Sequence, residues 1–370
     1  MRAFLLLVFI TKLSTAQTPS TKIEVTLRDE SGQPIANAWV GRYAHGQSET
    51  EPRWQFYNPS VKTDANGEAE VDLSFSPNGN QLIYALSDDY KLAAFKDIST
   101  EDATKPVELT LVPACRVTGR LASSELKALN RKVEWTNAYL FLGEHRPVGF
   151  MSKQQELEFY VPPGDFRFQA YGTHLDSVRR EFQVKPGQEN LDLGEIDLPA
   201  DRLVKLFGNP APELQHIKAW HNGEPVTLAD LRGKVVVLDF WGYWCGPCVH
   251  AMPSLMSLHD DYHEHGLVII GVHDDSLDDG AALEEKLSTL RDESWRGRDI
   301  PFAIALDGSG PTPIEGTQRT ARGATTAAYG INSFPTGVLI DRDGNVVDEF
   351  HPGSTEAVKL LARTLGVEVV

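Results

Sequence analysis

The sequence predicts an α/β domain with a mixed central sheet and helices on both faces in its C-terminal part, preceded by one or two all-β sandwich domains. Before about residue 200, short segments alternate apolar and polar residues between turns, which is typical of half-buried strands. After residue 205, apolar runs of strand length alternate with longer segments of helical pattern, which favours an α/β domain. The length of 370 residues is sufficient for two or three domains.

The segment 1–16 has the pattern of an export signal. Arg2 supplies a positive charge, residues 3–10 form an apolar run, and small residues end the segment at Ala16. The apolar run is too short to span a bilayer, so we expect cleavage before Gln17 and no membrane span. The mature protein is therefore expected to be periplasmic or secreted.

Residues 17–112 are predicted to form the first sandwich. Residues 23–27 alternate apolar and polar side chains, and a Gly-Gln-Pro turn follows at Gly32. The strand GQPIANAWV and the hairpin TDANG, which begins at Thr63, resemble those of carboxypeptidase-regulatory-like domains, which have an immunoglobulin-like fold. We expect this segment to serve as a spacer or a docking surface.

Residues 113–200 are predicted to form a second sandwich, although a single larger sandwich is also compatible with the sequence. The segments 107–114 and 191–200 are both alternating strands that end in Pro-Ala, as two successive domains of one type would. Cys115 is predicted to be a buried strand thiol, because an unpaired cysteine behaves as a small apolar side chain. We find no catalytic constellation in either segment.

Residues 205–370 form the predicted α/β domain. Residues 201–212 are predicted to form the join to this domain, and the turn at 341–345 predicts a hairpin. Residues 308–326 are rich in Gly, Thr and Pro and predict a long loop. The remaining predicted elements are strands at 235–240, 267–272, 301–306, 336–341 and 345–350, and helices at 246–265, 281–291, 320–329 and 354–365.

Two cysteines stand where the first of these strands passes into a helix, in the segment Trp-Cys-Gly-Pro-Cys. Their spacing in a first helical turn allows a small disulfide ring. The helix N-terminus stabilises an anion, so Cys245 should be a stronger acid than a free cysteine and is the predicted nucleophile. Pro247 suits an early helical position, and Gly246 should let another chain approach the sulfur atom.

A structural disulfide and half of a zinc site are the alternatives for Cys245 and Cys248. Zinc requires a second pair of ligands, whereas Cys115 lies more than a hundred residues upstream. His259 and His263 share a helix face at the spacing of metal ligands, but the HExxH pattern is absent and histidines near a helix C-terminus also suit the dipole. The sequence therefore favours redox chemistry with no metal and no cofactor besides the cysteine pair.

The segment LRGKVVVLDFWGYWCGPCVHAMP, residues 231–253, resembles the active-site region of the thioredoxin superfamily. Its RGK tripeptide and the later Ser-Phe-Pro-Thr, residues 333–336, are most similar to TlpA/ResA-type thiol-disulfide oxidoreductases. The resemblance implies a thioredoxin fold in which Cys245 attacks a disulfide and Cys248 resolves the mixed disulfide. It also implies that substrate contacts fall on Trp244, Gly246, Pro247, Phe334 and Pro335.

The resemblance assigns further roles. Asp239 matches the buried carboxylate that accepts a proton from the second cysteine, and burial in an apolar strand should raise its pKa; the alternative is that it points to water at a strand end. Pro335 matches a cis-proline that faces the cysteines, and Pro253 a proline that kinks the helix. Trp241 and Trp244 match the aromatic residues that flank the site.

Two positions and one segment depart from the TlpA/ResA pattern. Ala251 stands where many of these proteins have Glu, and Asp239 where Asn is common. Residues 274–330 are longer than a minimal thioredoxin domain requires. The proton relay is thus more similar to that of thioredoxin, which weakens the transfer of a cytochrome-maturation role.

The sequence therefore predicts an exported thiol-disulfide oxidoreductase. Its substrates would be proteins with disulfides, and an upstream membrane or periplasmic electron donor would recycle it. The formal charge of −17 argues against nucleic acid or an anionic membrane as a partner. A thiol peroxidase of the peroxiredoxin type is the alternative, but Leu238 and Gly242 occupy the positions of its Pro and Thr. A non-enzymatic binding module is a third interpretation, against which the intact cysteine pair argues.

Overall fold

The computed structural model describes residues 20–41, 44–46, 55–56, 61–74, 80–99, 102, 105–134, 136–142, 146–152 and 155–369. The expected export signal lies outside the described residues. Two compact units divide the chain, Met1–Pro199 and Ala200–Val370. Within the described ranges, no helix combines the length and the apolar character that crossing a membrane requires.

The first unit consists of strands and one short helix in the part that the structure describes. They are β1 (Ser20–Arg28), β2 (Trp39–Gly41), β3 (Ala44–Gly46), β4 (Gln55–Phe56), β5 (Val61–Lys62), β6 (Glu68–Ser74), β7 (Asn80–Leu86), β8 (Leu92–Ser99), β9 (Val107–Thr110), β10 (Val112–Pro113), β11 (Cys115–Ala122), α1 (Ser124–Ala128), β12 (Thr136–Leu142), β13 (Arg146–Ser152), β14 (Glu156–Val161), β15 (Gly164–Gly172), β16 (Leu175–Val184) and β17 (Asn190–Asp197).

Two sheets of this unit repeat one pairing pattern. In the order β6-β1-β9, the central β1 is antiparallel to β6 and parallel to β9; in the order β14-β11-β17, the central β11 is antiparallel to β14 and parallel to β17. The larger sheets have the orders β10-β8-β7-β2-β5 and β16-β15-β12-β13-β3-β4. The repeat is what two sandwich modules would produce, but β3 and β4 join the sheet of the later segment, so the division at residue 112 stays a prediction.

Alternation along the strands fills the interior of this unit. In β1, Ile23, Val25 and Leu27 are buried and pack with apolar residues of the neighbouring sheet, such as Ile83. Cys115, at the start of β11, is a free thiol that is fully buried, which confirms the sequence prediction. Burial raises the pKa of this thiol, so it is poorly suited to act as a thiolate.

The second unit alternates strands and helices, as predicted. Its elements are α2 (Arg202–Leu206), β18 (Ala219–His221), β19 (Val235–Trp241), α3 (Gly246–Tyr262) with a 3₁₀ turn (His263–His265), β20 (Leu267–His273), α4 (Gly280–Glu293), β21 (Ala303–Leu306), β22 (Pro311–Pro313), β23 (Thr320–Arg322), α5 (Ala324–Tyr329), β24 (Thr336–Ile340), β25 (Val346–Phe350) and α6 (Thr355–Leu365).

A six-stranded mixed sheet, in the order β18-β21-β20-β19-β24-β25, forms the centre of this unit. The strands β19, β20 and β21 are parallel, and β18, β24 and β25 run antiparallel to their neighbours. Every residue of β19 is buried, because α3, α4 and α6 pack on one face while α2 and α5 pack on the other. The thioredoxin-like fold with helices on both faces is therefore confirmed.

The predicted loop at 308–326 instead contains the hairpin of β22 and β23. The helix predicted from residue 320 begins at Ala324, after Gly323 at φ 121°. The buried Asp307 carboxylate accepts the backbone N–H groups of Thr325 and Thr326, at 3.1 and 2.7 Å. Asp307 follows β21 and is distant in sequence from the helix that it caps. Local sequence patterns therefore do not indicate this cap, which explains why α5 begins later than predicted.

Arg342, in the turn between β24 and β25, joins three chain segments at the edge of the sheet where the parallel strands begin. Its guanidinium donates to the carbonyl oxygens of Gly233 at 2.6 Å, His265 at 3.4 Å and Leu365 at 3.2 Å. Leu365 ends α6, and His265 ends the 3₁₀ turn after α3. The cation is thus placed where helix dipoles are negative.

Candidate functional site

The two cysteines lie at the opposite edge, where β19 passes into α3. Cys245 is the N-cap of α3, and its Sγ accepts the N–H of Cys248 at 3.2 Å. The two residues form a disulfide with a Cα–Cα distance of 5.2 Å. Pro247 occupies the first helical turn, where its missing N–H costs nothing. Gly246 is exposed, and apart from its chain neighbours and the backbone of α3 itself no described atom lies within 4 Å of where its Cβ would stand. The backbone beside the sulfur atoms is therefore open to a partner chain.

Asp239 is buried in β19, which excludes the alternative in which it points to water. Its register partners are Gly271 of β20 and Gly337 of β24, so the carboxyl belongs to the centre of the sheet. Burial raises its pKa to about 7. A carboxyl group with this pKa can exchange protons near neutral pH.

Pro335 precedes β24, and the Phe334–Pro335 peptide bond is cis. The register that pairs Thr336 with Phe240 puts this proline beside the C-terminal end of β19, where the loop to the cysteines starts. The ring of Phe334 contacts the ring of Trp244 edge to face, with centroids 5.8 Å apart. Sequence-predicted residues from two distant segments therefore meet around the disulfide.

His273 and Asp274 hold the loop before Cys245, and of these two residues sequence reasoning missed Asp274. The Tyr243 N–H donates to His273 Nε2 at 3.1 Å, and His273 Nδ1 donates to the Asp274 carbonyl at 2.9 Å. Asp274 Oδ1 accepts the indole N–H of Trp244 at 3.4 Å. Burial lowers the pKa of His273, which matches a neutral ring with one donor and one acceptor nitrogen.

A signal for this pair was present in the sequence. His273 and Asp274 end the second apolar run, as Trp241 ends the first, and the strands pair Trp241 with His273. Because parallel strands end at one edge of a sheet, polar residues after either run reach the same site. Local patterns of the cysteine motif do not contain this information.

The active-site helix α3 has a break in its hydrogen bonding at Pro253. This residue has no N–H to donate to the Val249 carbonyl, which lies four residues earlier. The indole N–H of Trp295 donates to that carbonyl at 3.0 Å instead. The longer 274–330 segment thus includes a side chain that completes the active-site helix.

His259 and His263 stack with ring centroids 4.7 Å apart. His263 Nδ1 lies 2.8 Å from the carbonyl oxygen of His259, which is an intrahelical contact. Within the described ranges, these two residues belong to no cluster of three or more potential metal ligands.

Comparison with known proteins gives matches to the second unit. Residues 207–351 match the AhpC/TSA family. The chain is 32% identical over 150 residues to the thiol-disulfide oxidoreductase ResA of Bacillus cereus, covering 40% of this chain and 72% of that protein. It is 34% identical over 157 residues to ResA of Halalkalibacterium halodurans, covering 42% and 75%.

A solved structure, that of a thiol-disulfide isomerase from Corynebacterium glutamicum, is 29% identical to the chain. The match covers 43% of this chain and 97% of that one, with a TM-score of 0.32. Protein DipZ of Mycobacterium bovis is 31% identical over 159 residues, covering 42% of this chain and 20% of DipZ.

Proposed function

Because the chain belongs to the ResA family of thiol-disulfide oxidoreductases, we propose that it reduces disulfides of exported proteins through Cys245 and Cys248. The observation that carries this proposal is the disulfide between these residues at the N-terminus of α3. In the reduced enzyme, the backbone N–H of Cys248 and the dipole of α3 would stabilise the Cys245 thiolate.

The reaction is two successive thiol-disulfide exchanges. The Cys245 thiolate attacks one sulfur atom of the substrate disulfide, forming a mixed disulfide and releasing the other substrate sulfur as a thiolate. Cys248, after losing its proton, attacks Cys245 Sγ and releases the second substrate sulfur. The enzyme thereby loses two electrons and ends as the Cys245–Cys248 disulfide, while the substrate disulfide becomes two thiols.

Asp239 is proposed to accept the proton of Cys248. Its pKa of about 7 lets it take up a proton near neutral pH and release it in the next cycle. Trp244, Gly246, Pro247, Phe334 and Pro335 are proposed to contact the substrate chain. A membrane or periplasmic donor of electrons is proposed to return the enzyme to the dithiol form, with no cofactor besides the disulfide.

Export is proposed from the sequence of residues 1–16 and places the reaction in the periplasm or outside the cell. Residues 17–112 and 113–200 are proposed to be immunoglobulin-like modules that act as spacers or docking surfaces. Signal cleavage is tested by N-terminal sequencing of the secreted protein, which should begin at Gln17.

Reduction of insulin tests the catalytic assignment. Cys245→Ser should abolish turnover, and Cys248→Ser should accumulate the mixed disulfide, detectable as a covalent complex that dithiothreitol releases. Cys115→Ala is the matched control, because it removes the remaining cysteine and leaves the pair intact. Undiminished insulin reduction by Cys245→Ser would reject the mechanism, and a strongly oxidising potential of the pair would reject the direction of electron flow.

The thiol peroxidase alternative has weaker support. Leu238 is a buried apolar residue, and a Cβ on Gly242 would lie 2.8 Å from the Trp244 ring, so neither position offers the Pro or Thr of a peroxidase. Rapid consumption of peroxide by a Cys248→Ser variant, with slow insulin reduction by the intact pair, would favour the alternative.

A further inference from the structure

A groove of about 960 Å³ lies beside the disulfide, between α3 and the segment 290–298. Trp244 and Gly246, from the cysteine motif itself, line one end of it. The groove then follows α3 past Val249 to Ser257. A chain whose disulfide reached Cys245 could therefore lay its neighbouring residues in this groove.

The wall opposite α3 is fixed by hydrogen bonds to the helix backbone. Trp295, which is buried, donates its indole N–H to the Val249 carbonyl that Pro253 leaves free. Arg298 donates to the Met256 carbonyl at 3.2 Å. Because these two bonds hold Trp295 and Arg298 against the helix, binding in the groove would cost little ordering of these side chains.

The groove is lined by apolar side chains and, at its rim, by basic side chains. Val249, Leu290 and Trp295 contribute apolar surface, whereas His250, Arg296 and Arg298 are its ionisable groups besides Tyr243. Among the residues that the structure describes, no carboxylate lines the groove, although the chain has a net charge of −17.

The two arginines differ in how much of their charge is available. Arg298 forms an ion pair with Asp260. Arg296 is exposed and, within the part of the chain that the structure describes, makes no ion pair. Arg296 is therefore the rim cation best placed to meet a charge on a bound molecule.

We propose that this groove binds the polypeptide stretch next to the substrate's disulfide, and that it selects stretches with an apolar side chain followed by acidic residues. The proposal rests on the proposed function and names the class of substrate for the same site. Apolar side chains would cover Val249 and Trp295, and a carboxylate would pair with Arg296. Charge complementarity at a rim acts mainly on encounter and on the choice of partner.

Competing peptides test the charge preference. Two peptides would carry the same disulfide and the same leucine, followed by two Asp residues in one and two Lys residues in the other. The wild-type protein should reduce the acidic peptide with a kcat/KM about five-fold higher, and the ratio should fall toward one at high salt. Arg296→Gln should remove most of the preference and Arg296→Glu should invert it, while Arg363→Glu, on an exposed position of α6, should match wild type.

A binding assay keeps this test separate from the proposed function. In a Cys245→Ser, Cys248→Ser double variant, a labelled acidic peptide without cysteine should bind about five-fold more tightly than its lysine counterpart by fluorescence anisotropy. Adding Arg296→Glu should reverse that order. If the wild-type protein reduced no disulfide but the double variant still preferred the acidic peptide, the proposed function would be rejected and the groove assignment would stand.

Three results would overturn the groove assignment. One is equal reduction and equal binding of both peptides by the parent proteins. Another is an equal loss for both peptides in Arg296→Glu, which would indicate a structural role for this residue. The third is self-association that Arg296→Glu abolishes without any peptide binding, which would identify the groove as an interface between two copies of the chain.

Discussion

A carboxyl group in the middle of a buried strand favours its neutral form, and Asp239 illustrates the consequence for stability. Its pKa is about 7 in the folded protein, compared with an ordinary value of 3.8. Between these values the folded state retains a proton that the unfolded chain releases, so the free energy of unfolding decreases as pH rises from about 4 to about 7. The residue that serves the proposed proton transfer therefore destabilises the oxidised protein at neutral pH.

Replacing Asp239 by Asn should stabilise the oxidised protein. A difference of one pKa unit corresponds to about 1.4 kcal/mol, so the gain at pH 8 has an upper limit of roughly 4 kcal/mol and should nearly vanish at pH 4. Urea unfolding at both pH values measures it, with the exposed Asp343→Asn as control. A gain independent of pH, or a loss at pH 8, would contradict burial as the cause of the raised pKa.

At the scale of single residues, the sequence predicts the groups that are proposed to react and misses most of the hydrogen bonds that hold the loop beside them. Cys245 and Cys248 are recognisable because two cysteines at this spacing can form a small disulfide ring. Asp239 is recognisable because an acidic residue is unusual in an apolar strand. His273 and Asp274 act through backbone and indole hydrogen bonds across two strands. Only the strand register brings them to the loop before Cys245, and no local motif encodes it.

Helix α3 depends on a residue outside the cysteine motif. A proline within a helix leaves a carbonyl without its usual donor, and a buried carbonyl without any donor costs about 1–3 kcal/mol. Trp295 supplies the donor to Val249. The long segment after β20 is thus hydrogen-bonded to the active-site helix, and we expect the two to be energetically coupled.

Double substitution should reveal that coupling. Trp295→Phe should lower the free energy of unfolding by about 1–3 kcal/mol, because the Val249 carbonyl loses its donor. In a Pro253→Ala background the new N–H of residue 253 can donate to the same carbonyl, so the cost of Trp295→Phe should fall by about 1 kcal/mol. Denaturant unfolding of the four proteins measures the difference, and strict additivity would show that the indole bond contributes nothing.

The sequence predicts elements that have a strong apolar period. It does not predict where an element begins when a side chain distant in the sequence bonds its first backbone N–H groups. The strand β19 and the helix α6 follow their patterns to within two residues. The start of α5 lies later than the sequence predicts, because its first N–H groups are bonded by Asp307 rather than by a neighbouring side chain. The sequence does not predict the β22–β23 hairpin, since a Gly- and Pro-rich composition indicates turns without indicating pairing.

The second unit, residues 200–370, has the features of an independent domain. In the part of the chain that the structure describes, its six-stranded sheet pairs strands of that unit, and helices cover both faces. Expressed alone, this fragment should unfold in one cooperative transition and reduce insulin at a rate within about three-fold of the full chain. Calorimetry and the insulin assay measure both properties, with the fragment's Cys245→Ser variant as control; an unfolded fragment would show that the domain boundary is wrong.

At the scale of the whole molecule, the sequence predicts the class of each part more securely than the limits between parts. The pattern changes from alternating strands to α/β near residue 200, and the structure divides into two compact units between Pro199 and Ala200. The limits of the separate predicted domains stay predictions. Within the first unit the pairing of β3 with β13 has no counterpart in the local pattern. Long-range pairing is set by tertiary packing, which alternation alone does not specify.

The three carbonyl contacts of Arg342 bear on how the second unit comes apart. One side chain ties the last residue of α6, the turn after α3 and the segment before β19 to one another. A C-terminal helix commonly frays first. Fraying of α6 here would also break the hydrogen bond between Leu365 and Arg342, at the edge where the parallel strands begin. Backbone amides of α6 should therefore exchange their hydrogens only when the whole unit unfolds. Partial unfolding at the edge of the sheet that holds Arg342 would then not expose the edge that carries the cysteines.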